Sequence, residues 1–301
     1  MTKLIGATEG RLFEYAPRLM AFEYGSLNSA NVLIFIGGLG DGFLTVPYIP
    51  LLSSKLNAIG WSLIQIQLTS SYIGWGTGSL QRDDSEIAQL VDYLRSSSTA
   101  CGGRSKIGLM GHSTGCQNTL HYLSKPGAEN KTKPEIDFGI LQASVSDREA
   151  ITMLFPADLL EKSIDYAQNL IQSGNPNELM PLKYTANFFP APINASRWIS
   201  LATERGYDDF FSSYLNETDF KSTFGNVKKP LLVLYSGSDE FVPDHVDKAG
   251  MLEKFSRAVS PEFWSPLSKL VVGGTHNLGP ESGPNAQEDA TSTAIEFIKS
   301  I

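Results

Sequence analysis

The chain has 301 residues, of which 42% are hydrophobic and 19% charged, and it carries a formal net charge of −8. That length suits one large α/β domain or two small ones, and the composition excludes a disordered or fibrous chain. The acidic balance, with no run of Lys and Arg, excludes a general nucleic-acid binder and weakly favours a cationic ligand.

Residues 1–10 contain no apolar run that could form the core of a signal peptide. No stretch approaches the roughly 18 apolar residues of a membrane span. The two cysteines, Cys101 and Cys116, are too few for a disulfide scaffold. A cytoplasmic protein with free thiols is expected, and the glycosylation sequons at Asn130, Asn194 and Asn216 then read as chance matches.

Val32-Leu33-Ile34-Phe35-Ile36 is a continuous apolar run ending in glycine, as for a strand covered on both faces of a parallel sheet. The Gly37-Gly38-Leu39-Gly40-Asp41-Gly42 loop follows, then a helix over 49–57 and a strand over 61–66. A helix over 83–96 places Ile87, Leu90, Val91 and Leu94 on one face, with acidic residues in its first turn. Strands are expected over 106–110, 137–142, 231–235 and 269–272, and helices over 117–123 and 287–301. This alternation indicates a mostly parallel sheet with helices on both sides, in a single domain spanning 1–301. Residues 146–226 break it. They hold helical pieces and aromatic clusters, including Phe188-Phe189-Pro190 and Trp198, but no buried-strand run. A cap over the active site is expected there, with extra surface helices of no catalytic role as the alternative.

Between the 106–110 strand and the next helix stands Gly111-His112-Ser113-Thr114-Gly115. Gly-x-Ser-x-Gly in a strand–turn–helix context is a nucleophile elbow, which needs small residues beside a strained serine. The following helix directs its positive end at the charge that develops there. Ser113 is therefore the candidate nucleophile.

A serine needs a base, and this fold supplies it in the chain order Ser, acid, His. Of the four histidines, His112 lies within the elbow, His121 too far along its helix, and His245 in a turn after a proline. His276, in Gly274-Thr275-His276-Asn277 just past the last strand, is the candidate base. Asp239, after the 231–235 strand, is the candidate acid, with Glu240 and Asp244 as competitors. Its task is to accept the His276 Nδ1 proton and stabilise the imidazolium. The backbone N–H groups of Leu39 and Thr114 are the expected oxyanion donors, with Gly38 as the rival to Leu39. Gly38, Trp75, Trp198, Phe211 and Tyr214 are candidate substrate contacts; Phe188 and Phe210 belong to the same aromatic set. For any one aromatic residue, packing within the cap explains it equally well. The histidines and cysteines lack metal-ligand spacing, so no metal and no cofactor are expected.

With these features assembled, the chain resembles the α/β-hydrolase superfamily over nearly its whole length. It is similar in particular to a fungal subfamily first catalogued as a domain of unknown function, which includes the siderophore esterases. The resemblance rests on Phe35-Ile36-Gly37-Gly38-Leu39-Gly40-Asp41-Gly42, Ser70-Ser71-Tyr72-Ile73-Gly74-Trp75-Gly76, Gly111-His112-Ser113-Thr114-Gly115-Cys116-Gln117 and Gly274-Thr275-His276. The second of these is not a general hydrolase feature. The resemblance implies a small-molecule substrate, an ester-linked hydroxamate siderophore of the fusarinine type, hydrolysed in the cytoplasm to release iron. On the same triad a lipase, thioesterase, peptidase or carbon–carbon bond hydrolase is the rival enzyme. A binding protein that kept the fold and lost catalysis is the rival of another class. Nothing in the sequence points to an oligomeric state.

Overall fold

Eight strands form one sheet in the order β1-β2-β4-β3-β5-β6-β7-β8. The computed structural model describes residues 6–27, 29–125, 127, 132–188 and 191–301, so the sequon at Asn130 and the Phe189-Pro190 pair lie outside the described residues. Strands β3 (Asn31–Ile36), β4 (Trp61–Ile66), β5 (Lys106–His112), β6 (Phe138–Gln142), β7 (Leu231–Ser236) and β8 (Lys269–Val271) run parallel. Strands β1 (Gly10–Ala16) and β2 (Leu19–Gly25) form an antiparallel hairpin added to the β4 edge.

Strand β3 shows why a continuous apolar run is required at the centre. Residues 32–36 are each no more than 1% exposed. Leu33 and Phe35 face helices α1 (Ile49–Asn57) and α9 (Ala286–Ser300), while Val32, Ile34 and Ile36 face α2 (Leu80–Arg95). Each such side chain contributes about 1.5–3 kcal/mol of apolar burial. Helices α3 (Thr114–Ser124) and α8 (Lys248–Ala258) cover the other half of the sheet. Helix α2 begins before residue 83 because the Ser79 side chain accepts the Arg82 N–H and caps it.

Between β6 and β7 lie α4 (Asp147–Leu154), α5 (Ala157–Gln172), α6 (Ala195–Ala202) and α7 (Glu217–Lys221). The first three pack on a separate apolar cluster that includes Ile151, Phe155, Phe188 and Trp198. Trp198 is fully buried and its indole N–H donates to Ser163 Oγ at 2.9 Å. Phe211 packs instead with Phe224 and Phe255 in the cluster under α8. The segment is tied to the 72–77 turn after β4 through Arg197, which donates to the Trp75 carbonyl at 3.1 Å and pairs with buried Asp208. The sequon residues Asn194 and Asn216 serve as N-caps of α6 and α7, and Asn194 is buried. Among the described residues, no helix is long and apolar enough to cross a membrane.

Candidate active site

Strand β5 passes into α3 through one residue, Ser113. Its φ of 53° and ψ of −125° lie outside the regions open to an ordinary side chain. Such strain costs about 1–3 kcal/mol and persists only where the surroundings enforce it. The flanking glycines are needed for close approach. A Cβ on Gly111 would overlap the Gly115 carbonyl, and one on Gly115 would overlap the Ile36 carbonyl.

The loop after β8 carries His276, whose Nε2 lies 2.8 Å from Ser113 Oγ. Its Nδ1 lies 2.9 and 3.0 Å from the two carboxylate oxygens of Asp239, on the loop after β7. With Nδ1–H donating to Asp239, Nε2 is left to accept the serine proton. Asp239 is buried, and the Phe241 N–H donates to its Oδ1 at 3.0 Å. Of its competitors, Glu240 accepts the His276 backbone N–H at 2.9 Å and Asp244 is exposed. Burial works against a charged His276. The hydrogen bond and charge of Asp239, with Glu240 and Asp41 behind them, outweigh it and hold the imidazole above its ordinary value of 6.5.

The other histidines are placed elsewhere or held neutral. Burial, then the neighbouring His276 charge, pushes His112 down to about 4. Its Nδ1 lies 2.6 Å from Gln142 Oε1, and its ring is 5.1 Å from that of His276. His121 bonds to Asp84 and Tyr207, and His245 is exposed.

In the glycine-rich loop the Gly38 N–H donates to Asp41 Oδ2 at 2.7 Å, so the rival donor is already occupied. The Leu39 N–H has no acceptor among the described residues. Thr114 opens α3, so its N–H lies outside the helix's own bonds. Gly38 instead makes room for the serine: a Cβ there would sit 2.6 Å from Ser113 Cβ.

A cavity of about 170 Å³ opens over Ser113 and His276. Its walls include Gly38, Val145, Asp147, Ala150, Phe188 and Phe241. Among the described aromatic residues singled out in the sequence, Phe188 alone is on this wall. Trp198 and Phe211 are corrected to core side chains, for the packing reasons given above. Tyr214 donates to Asp209, away from the wall. Trp75 lies beside the glycine-rich loop, in a small polar pocket with Asp83, Asn118 and Arg197. Among the described residues, no three His, Cys, Asp or Glu side chains are grouped to hold a metal ion.

Three contributors went unread in the sequence. Gln142 Nε2 donates to the His276 carbonyl at 3.2 Å and to Ser236 Oγ at 3.0 Å, fixing the His276 loop to the sheet. Asp41 holds the glycine-rich loop through the Gly38 N–H, and Asp147 stands on the cavity wall. A glutamine closing the apolar run of β6 was the one available signal.

Residues 3–299 match the family described as "Protein of unknown function (DUF1749)". The chain belongs to the DUF1749 family. This DUF1749 chain is 42% identical to a UPF0613 protein of Schizosaccharomyces pombe, covering 97% of each chain. It is 33% identical to the fusarinine C esterase sidJ of Aspergillus fumigatus, over 98% of this chain and 97% of the relative. Among solved structures it is similar to the siderophore hydrolase EstB from Aspergillus fumigatus, at 32% identity and a TM-score of 0.85, covering 98% of each. An α/β-hydrolase fold protein of unknown function superposes with a TM-score of 0.69 at 19% identity, over 98% of this chain and 97% of the other. The α/β-hydrolase fold expected from the elbow and the strand order is borne out, as is the resemblance to the fungal siderophore esterases.

Proposed function

We propose that this DUF1749 chain is a serine esterase that hydrolyses ester-linked hydroxamate siderophores of the fusarinine type. The observation that carries the reading is the unbroken line Asp239–His276–Ser113, with Ser113 held at a strained elbow. The substrate class is supported by the relatives, two of which are named for siderophore or fusarinine C hydrolysis. The unpaired Cys101 and Cys116 suit a reducing cytoplasm, where we place the reaction.

Ser113 Oγ attacks the ester carbonyl as His276 Nε2 takes its proton. The carbonyl oxygen becomes an oxyanion held by the Leu39 and Thr114 N–H groups. His276 then gives its proton to the departing alcohol, leaving an acyl-serine. Water, deprotonated by the same nitrogen, releases the acid and restores Ser113. Asp239 keeps the imidazole oriented and stabilises its cation throughout. Residues 146–226 act as a cap, in keeping with the contribution of Asp147, Ala150 and Phe188 to the cavity wall.

Mass spectrometry of ferric fusarinine-type siderophore incubated with the protein tests both parts. Stepwise gain of one water per ester with wild type, and none with Ser113→Ala, is expected. An intact siderophore beside a Ser113 still labelled by a fluorophosphonate keeps the serine hydrolase and removes the substrate assignment.

A further inference from the structure

The elbow helix carries a residue that the proposed mechanism does not use. Gln117, one turn beyond Ser113, is 1% exposed. Its side-chain N–H₂ donates to Asp147 Oδ2 at 2.8 Å and to the Val145 carbonyl at 3.4 Å. Both partners are acceptors, so the amide is forced into this orientation, and its own Oε1 is left buried without a donor. An orphaned buried acceptor costs about 1–3 kcal/mol. The arrangement therefore favours holding the Asp147 carboxylate in place over satisfying the amide.

Asp147 is the first residue of α4 and stands on the wall of the cavity that opens on Ser113 and His276. Among the described residues the other carboxylate on that wall, Asp41, is engaged by the Gly38 N–H. Among the described residues no Lys or Arg lines the cavity, and Val145, Ala150, Phe188 and Phe241 make part of its wall apolar. A fixed carboxylate in such a place attracts a positive group on the substrate and rejects a negative one, with little screening by water.

Resting on the esterase reading above, we infer that Asp147, oriented by Gln117, is a specificity-determining residue that selects esters bearing a cationic amine over esters bearing a carboxylate. The test uses three chromogenic esters of one length, ending in an ammonium, a methyl and a carboxylate group. The readout is the kcat/KM ratio of the ammonium to the carboxylate ester. The assay is run at about pH 8, where carboxyl groups are ionised; burial pushes that of Asp147 up to about 7. Wild type is expected to favour the ammonium ester by more than about tenfold, the worth of one charge-assisted contact. Asp147→Asn should collapse that ratio toward one. A wild-type ratio near one overturns the inference whether or not the variant folds, and so does an unchanged ratio in a variant whose Ser113 still takes a fluorophosphonate. Failure of wild type to cleave even the methyl ester would instead strike the esterase reading itself.

Discussion

His276 carries two opposed forces whose balance sets the working pH. Burial disfavours its cation, while Asp239 at 2.9 Å favours it, and the acid prevails. As the proposed base, His276 must be neutral at Nε2, so activity falls as pH drops through its pKa. The acidic limb of kcat/KM is therefore expected above pH 6.5, the ordinary histidine value. Asp239→Asn removes the charge that raises this pKa, so the limb should move to lower pH. It also permits the wrong tautomer, and kcat should fall by about 10⁴-fold. A limb that stays in place in Asp239→Asn would remove Asp239 from its proposed role. A second residue-scale expectation concerns Gly38. Since a Cβ there meets Ser113 Cβ at 2.6 Å, Gly38→Ala must push Ser113, the proposed nucleophile, off its line to His276. A 1 Å displacement costs about 10²-fold in rate. Steady-state kinetics should show this in kcat, with thermal unfolding little changed.

At the scale of elements, what the sequence revealed depended on the kind of signal. Strands β3 and β7 are covered on both faces and read as unbroken apolar runs. The hairpin β1–β2 was not read, because it alternates aromatic residues with Glu14 and Glu23. Glu23 is wholly buried and is neutralised by Arg104, at 2.8 Å, and Arg11, partners that only the fold brings near. The site divided likewise. Ser113, Asp239 and His276 follow strand ends, so the elbow motif, strand position and chain order point to them, whereas the pocket wall depends on which aromatic residues the insertion keeps for its own core. Trp198 and Phe211 went inward, and composition could not sort them from Phe188. The insertion's attachment was equally invisible, since Arg197, paired with Asp208, meets the Trp75 carbonyl only in three dimensions. That buried pair yields the element-scale prediction. Asp208→Ala strips the buried Arg197 guanidinium of the carboxylate it bonds, at a cost of about 3–5 kcal/mol. Urea unfolding should show the loss, and a change below about 1 kcal/mol would mean that the pair is not buried as described.

For the whole molecule the governing quantity is charge. A net charge of −8 attracts cationic substrates from a distance, but that long-range field and the local carboxylate of Asp147 respond differently to salt. The Debye length falls from about 30 Å at 0.01 M to about 3 Å at 1 M, so steering by the distributed charge is lost across that range. A contact made inside an apolar-walled cavity is screened far less. The kcat/KM of an ammonium ester should thus decline with ionic strength in wild type, while that of a neutral ester stays nearly level. Asp147→Asn removes one charge of many, so the salt slope should survive in the variant even though its preference at any fixed salt collapses. A slope lost together with the preference would assign both to Asp147 and leave the overall acidity without a part in substrate capture. Stopped-flow measurement over the salt range, with wild type and variant side by side, separates the two.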